Sequence, residues 1–139
     1  MSILMKRYTP SILLIGDLIA LLVFVLVGER QHELNQTNFI TTALPFVVLW
    51  IIAGLLLGAF PQTAAVNART IFGAAINAWL IVAPFGIFAR ALLLQSAVIP
   101  VSFFAAAAGF SGLFILAWRL IFFGLWRFIA RREPQKQTI

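Results

Sequence analysis

Polar residues in this chain come in short clusters separated by long apolar runs, and four of those runs are long enough to cross a bilayer as helices of about 20 residues. The first covers about residues 10–28, opening at Thr9-Pro10, a pairing of helix cap and first-turn proline, and leaving at Gly28. The second covers about 41–60 and stops before Pro61. A short polar turn, Pro61 to Arg69, leads to the third, about 70–94, which is interrupted by Asn77, by Pro84, where a kink is expected, and by Arg90. The fourth covers about 100–123 and continues as helix towards Arg131, with a basic tail over 124–139. The pattern predicts an all-α fold, a polytopic transmembrane helical bundle forming one membrane domain over 1–139.

Composition strengthens this reading. Hydrophobic residues make up 63% of the 139 and charged residues 10%, against about a quarter charged in soluble domains. A compact fold of this size has to leave roughly a third of its surface exposed, and here that surface has to be apolar. The first run begins after Lys6-Arg7, as a signal peptide would. It is long for a signal peptide's apolar core, contains Asp17 and lacks a small-x-small cleavage site, so it reads as a retained helix.

The formal net charge of +6 does not imply a nucleic-acid partner, because the basic residues flank the apolar runs and form no stripe. They instead suggest topology. With four spans, Lys6, Arg7, Arg69, Arg119, Arg127, Arg131, Arg132 and Lys136 fall on one side, and Arg30 and Arg90 on the other. The positive-inside rule then gives N-in, C-in in a bacterial plasma (inner) membrane. Trp126 and Arg127 with the basic tail fit an interfacial anchor that fixes this topology. There is no cysteine, hence no disulfide, thiolate or cysteine-bound metal. No phosphate-binding loop, nucleophile elbow, HExxH or pair of catalytic carboxylates occurs, so the chain is expected not to be an enzyme and to need no cofactor or metal.

Chemistry inside a bilayer is sought first at ionised residues, which are expensive there. Asp17 lies seven positions beyond Pro10, about 10 Å along the first helix. Arg119 lies nineteen positions beyond Pro100 on a helix running the other way, at a depth its long side chain can match. An intramembrane pair between them is therefore expected. As a functional group Asp17 would carry a proton or cation; as a structural group it clamps two helices. The clamp is the stronger reading, because a carboxylate held by an arginine is a poor proton carrier.

A second polar cluster, Glu29, Arg30, His32 and Arg90, should gather at the outer face. His32 is the only histidine, and a bis-histidine haem or a zinc site would need partners the chain lacks, so an interfacial histidine bonded to neighbours or water is expected. Asn77 and Ser111 could bond across helices. Gly54 and Gly58, four apart, and Gly109 and Gly112 supply two small-residue faces for helix packing. Asn35-Gln36-Thr37 matches a glycosylation sequon by a pattern too common to predict its use.

At Gly16-Asp17-Leu18-Ile19, Phe24 to His32, Thr42-Ala43-Leu44-Pro45-Phe46, Arg90 and Trp118-Arg119 the chain resembles a family of small bacterial membrane proteins, DUF3054. That family's pattern has an Asp in the first span, an exit like Gly-Arg-x-Ser-His, an Ala-x-Pro-Phe element, an Arg ending the third span and Trp-Arg in the fourth. Here the exit reads Gly28-Glu29-Arg30-Gln31-His32, keeping the histidine and replacing the first Arg and the Ser. The resemblance implies four spans and supplies no biochemical activity. The function expected from the whole is that of a non-enzymatic helical bundle or an accessory subunit of a membrane assembly, with the lipid bilayer, its own copies or a larger membrane complex as partners. The alternative is a small oligomeric transporter using Asp17.

Overall fold

A computed structural model of the protein describes residues 2–31, 39–95 and 98–132. It is all-helical in these residues: α1 (Ser2–Gln31), α2 (Phe39–Leu56), α3 (Ala74–Leu93) and α4 (Val101–Arg132). Between α2 and α3 lie a 3-10 turn, Thr63–Ala65, and a π-helical turn, Arg69–Gly73, that leads directly into α3. All four are long and apolar enough to cross a membrane. Each helix packs on the next in sequence and α4 closes the ring on α1. One end of the bundle, here the terminal end, carries the start of α1, the α2–α3 connection and the end of α4. The other, the distal end, carries the end of α1 and the start of α4.

The burial pattern is that of a protein solvated by lipid. Leu21, Phe46, Trp50, Val82, Ile87 and Ile115 fill the interior, while Ile15, Leu55, Leu80, Phe85, Phe88 and Leu120 point outward, each more than half exposed. Asp17, Arg119 and Ser111 are inside. A multi-pass membrane protein is the arrangement in which so many large apolar side chains can face out at no cost.

Three local expectations are corrected. Thr9 does not cap α1, which runs unbroken from Ser2 through Pro10; its hydroxyl instead bonds the Thr63 hydroxyl at 2.8 Å, tying α1 to the α2–α3 connection. The second helix ends at Leu56 and not at Phe60. The cause is Gly58, which takes φ +68°, while the Ala59 N–H donates back to the Gly54 carbonyl at 2.8 Å. That six-to-one bond across a left-handed residue is the Schellman ending, which favours glycine because a Cβ is strained there. Gly58 is therefore a helix terminator and does not share a packing face with Gly54. The third span starts on a reciprocal cap: Thr70 N–H donates to Asn67 Oδ1 and Asn67 N–H to Thr70 Oγ1, both at 3.0 Å.

Candidate functional site: a buried clamp and a distal cavity

The early end of α2 turns the backbone of Ala59 and Phe60 back under the bundle. The Phe60 ring lies over Gly54, where a Cβ would stand 2.6 Å from it. It also lies under the Arg119 guanidinium, 5.8 Å from ring centre to Cζ. The Ala59 carbonyl, released from the helix, accepts Arg119 Nη1–H at 2.8 Å, and the Ile71 carbonyl of the π-helical turn accepts the same nitrogen at 2.8 Å. The opposite side of the guanidinium meets Asp17: Nε donates to Oδ1 at 3.1 Å and Nη2 to Oδ2. Trp50 Nε1–H completes the carboxylate, donating to Oδ2 at 3.1 Å.

Four of the five guanidinium N–H groups are thus used, and Asp17 and Arg119 are both fully buried. A bidentate pair of zero net charge with its remaining hydrogen-bonding capacity met by Trp50 and two carbonyls is the form in which buried charge is tolerated. The pair joins α1 to α4, and through its other partners reaches α2, the segment just after it at Ala59 and the π-helical turn that leads into α3. Next to it, the Trp118 ring packs against Gly16, where a Cβ would fall 2.0 Å from the ring, so α1 and α4 approach closely at this level.

Asp17 and Arg119, matched by depth in the sequence, are brought together. Trp50, Gly16 and the two carbonyls are partners that sequence reasoning missed. A signal existed for Trp50, since tryptophan favours the membrane interface and one in mid-span needs a buried acceptor for its N–H. Trp79 follows the same logic, donating to Ser111 Oγ at 3.2 Å while Ser111 donates to the Ala108 carbonyl. Ser111 thus bonds across helices to Trp79 and not to Asn77, which is exposed. Of the remaining packing glycines, Gly112 lies under Trp79, where a Cβ would stand 2.8 Å away. Gly109 has no atom within 4 Å of such a Cβ; it lines a shallow groove between α3 and α4 with Ile76, Trp79 and Leu113. Gly86, under Phe46, is a close-approach glycine the sequence reading missed.

Towards the distal end α1 and α4 leave space between them. A cavity of about 560 Å³ opens there, walled by Phe24, Phe46, Phe103, Phe110 and Phe114, with Thr42, Glu29 and Arg90 as its polar lining. Glu29 lies twelve residues beyond Asp17, about 18 Å along α1 at 1.5 Å per residue, so clamp and cavity are separate levels of the bundle. Of the outer cluster foreseen from sequence, Glu29 and Arg90 meet in this cavity, Arg30 is exposed, and His32 lies outside the described residues. Neither the cavity nor the α3–α4 groove includes Asp17.

The sequence profile of the family described as "Protein of unknown function (DUF3054)" matches residues 14–122. The chain belongs to the DUF3054 family. The match takes in both the clamp and the distal cavity, together with the segments Gly16-Asp17, Thr42 to Phe46, Arg90 and Trp118-Arg119 that line or build them. No curated protein and no solved structure matches this DUF3054 chain.

Proposed function

We propose that this DUF3054 protein is a non-enzymatic helical bundle of the bacterial plasma membrane, N- and C-termini cytoplasmic, that associates with other membrane-embedded chains, its own copies or the subunits of a larger assembly. The observation that carries the reading is Asn77. It lies eight residues into the third span from Arg69, about 12 Å along the helix, on the exposed side, with no hydrogen bond among the described residues. A primary amide facing hydrocarbon unpaired is costly. An amide from a second chain would satisfy it, because an amide is both donor and acceptor; such interhelical bonds contribute from about 0.6 up to 2 kcal/mol. The groove beside Gly109 on the neighbouring face would let another helix come close.

The alternative, a transporter using Asp17, has less support: Asp17 is fully buried and its carboxylate is occupied by Arg119 and Trp50. The absence of native cysteines makes the test direct. Ile81→Cys, one turn from Asn77 and exposed, should form disulfide-linked dimers in native membranes on mild oxidation, and Asn77→Leu in that background should suppress them. Ile19→Cys, exposed on α1, should give none. If the assembly is hetero-oligomeric, a partner should copurify with the wild type and be lost from Asn77→Leu. Failure of both the cross-link and any Asn77-dependent copurification would end this reading. For topology, reporters fused after Glu33 and near Ser96 should read outside, and those after Ala65 or Gln137 inside; a cytoplasmic reading at Glu33 would reverse the assignment.

A further inference from the structure

The distal cavity holds polar groups that no described residue satisfies. Thr42 is only 8% exposed, and its Oγ1 and the Glu29 Oε1 are both buried without a hydrogen-bond partner among the described residues. Glu29 and Arg90 line the same cavity yet form no ion pair; among the described residues the ion pair present is Asp17–Arg119. Arg90 instead lies over the Phe103 ring, 5.1 Å from its centre. One carboxylate, one guanidinium and one hydroxyl are therefore presented at the polar end of an aromatic-walled space, near the last turns of α1 and α3. The two charges attract each other through space without contact, whereas in the clamp the carboxylate and guanidinium bond directly.

Buried polar groups in native proteins are almost always satisfied, so the chemistry of the missing partner can be read from what these groups need. A cation alone would bind Glu29 at the expense of its through-space attraction to Arg90, an anion alone would do the reverse, and a neutral hydrocarbon would leave the Glu29 and Thr42 oxygens bare. A head group carrying both charges satisfies both, and Thr42 can donate or accept beside it. The phenylalanine walls require a tail. The volume, about 560 Å³, falls in the range of roughly 300–1,000 Å³ found for small-molecule sites. Entry is available from the bilayer, because Val27 on α1 and Ala106 and Phe110 on α4 line the cavity and are exposed.

We propose that the distal cavity binds a zwitterionic amphiphile from the bilayer, with its cationic group on Glu29, its anionic group on Arg90 and its tail among the phenylalanines. The ligand class is that of an amino-phospholipid, and the site is independent of the association face on α3.

The test uses the full chain purified in a non-ionic detergent and titrated with three probes. These are a single-tailed phosphatidylethanolamine, the phosphatidylglycerol of the same tail, and glycerophosphoethanolamine, the same head without a tail. The wild type should bind the first about tenfold or more tighter than the second, as expected for one charge-assisted contact, and should not bind the third measurably. Glu29→Gln should weaken the ethanolamine lipid about tenfold and leave the glycerol lipid unchanged, erasing the preference. Arg90→Gln should weaken both. Ala106→Trp, at an exposed position on the rim, should abolish binding of both while leaving the melting curve intact, and it keeps the test decisive if either charge variant fails to fold. Equal binding of the two lipids by wild type, a preference that survives Glu29→Gln, binding of the tailless head alone, or binding that survives Ala106→Trp would each overturn the proposal.

Discussion

Removing one side of the Asp17–Arg119 pair should be among the most destabilising single changes available in this protein, and the two sides should not be equivalent. In Asp17→Asn the guanidinium keeps its bonds to the Ala59 and Ile71 carbonyls and loses its counter-charge, a change that costs about 3–5 kcal/mol at buried pairs. Arg119→Gln strands the carboxylate with Trp50 Nε1–H as its remaining partner. It also removes the donor from both carbonyls, each of which adds about 1–3 kcal/mol if left unsatisfied. Arg119→Gln should therefore be the more severe, and either loss is a large fraction of a total stability of roughly 5–15 kcal/mol. The double variant contains two amides that can bond one another and no stranded charge, so its loss should fall short of the sum of the singles by about 2 kcal/mol. The assay is reversible unfolding in mixed micelles, followed by the fluorescence of the tryptophans. Strict additivity, within about 0.5 kcal/mol, would show that the two residues do not act as a pair and would refute the reasoning.

Gly16→Leu would drive a side chain into Trp118, since even a Cβ falls 2.0 Å from that ring; the same unfolding assay should show a loss of about 1–3 kcal/mol, with the α1–α4 distance increased in spin-label measurements. Gly58→Ala should lower stability by about 1 kcal/mol through the strain of a left-handed residue bearing a Cβ, whereas Gly124→Ala, in α4 with open space around it, should be neutral or stabilise by about 0.5–1 kcal/mol. Equal effects at the two glycines would refute the terminator role of Gly58. Purified protein should be colourless, and His32→Ala should shift stability only slightly; a visible absorption band that depends on His32 would make that residue a pigment ligand.

What the chain determined by itself is what depends on position along one dimension. Span number and approximate depth follow from the length of apolar runs and a rise of 1.5 Å per residue, which is why the four helices and the matched levels of Asp17 and Arg119 could be read without a structure. The co-location of Glu29 and Arg90 was legible for the same reason, since both lie near the distal ends of their spans. The family resemblance added the same positions and no rotation. What only the tertiary structure decided is the angular setting of each helix about its own axis. That setting turned Asn77 outward and paired Ser111 with Trp79, put Trp50 on the carboxylate, and separated Gly16 and Gly86, which meet aromatic rings, from Gly109, which meets nothing. It also decided where the backbone leaves helical geometry: the left-handed Gly58 and the π-helical turn at Arg69–Gly73 place the carbonyls of Ala59 and Ile71 at the guanidinium. Hydropathy carries little of this information in a membrane protein, because lipid-facing and core-facing positions are both apolar and the amphipathic signal that orients a soluble helix is largely erased.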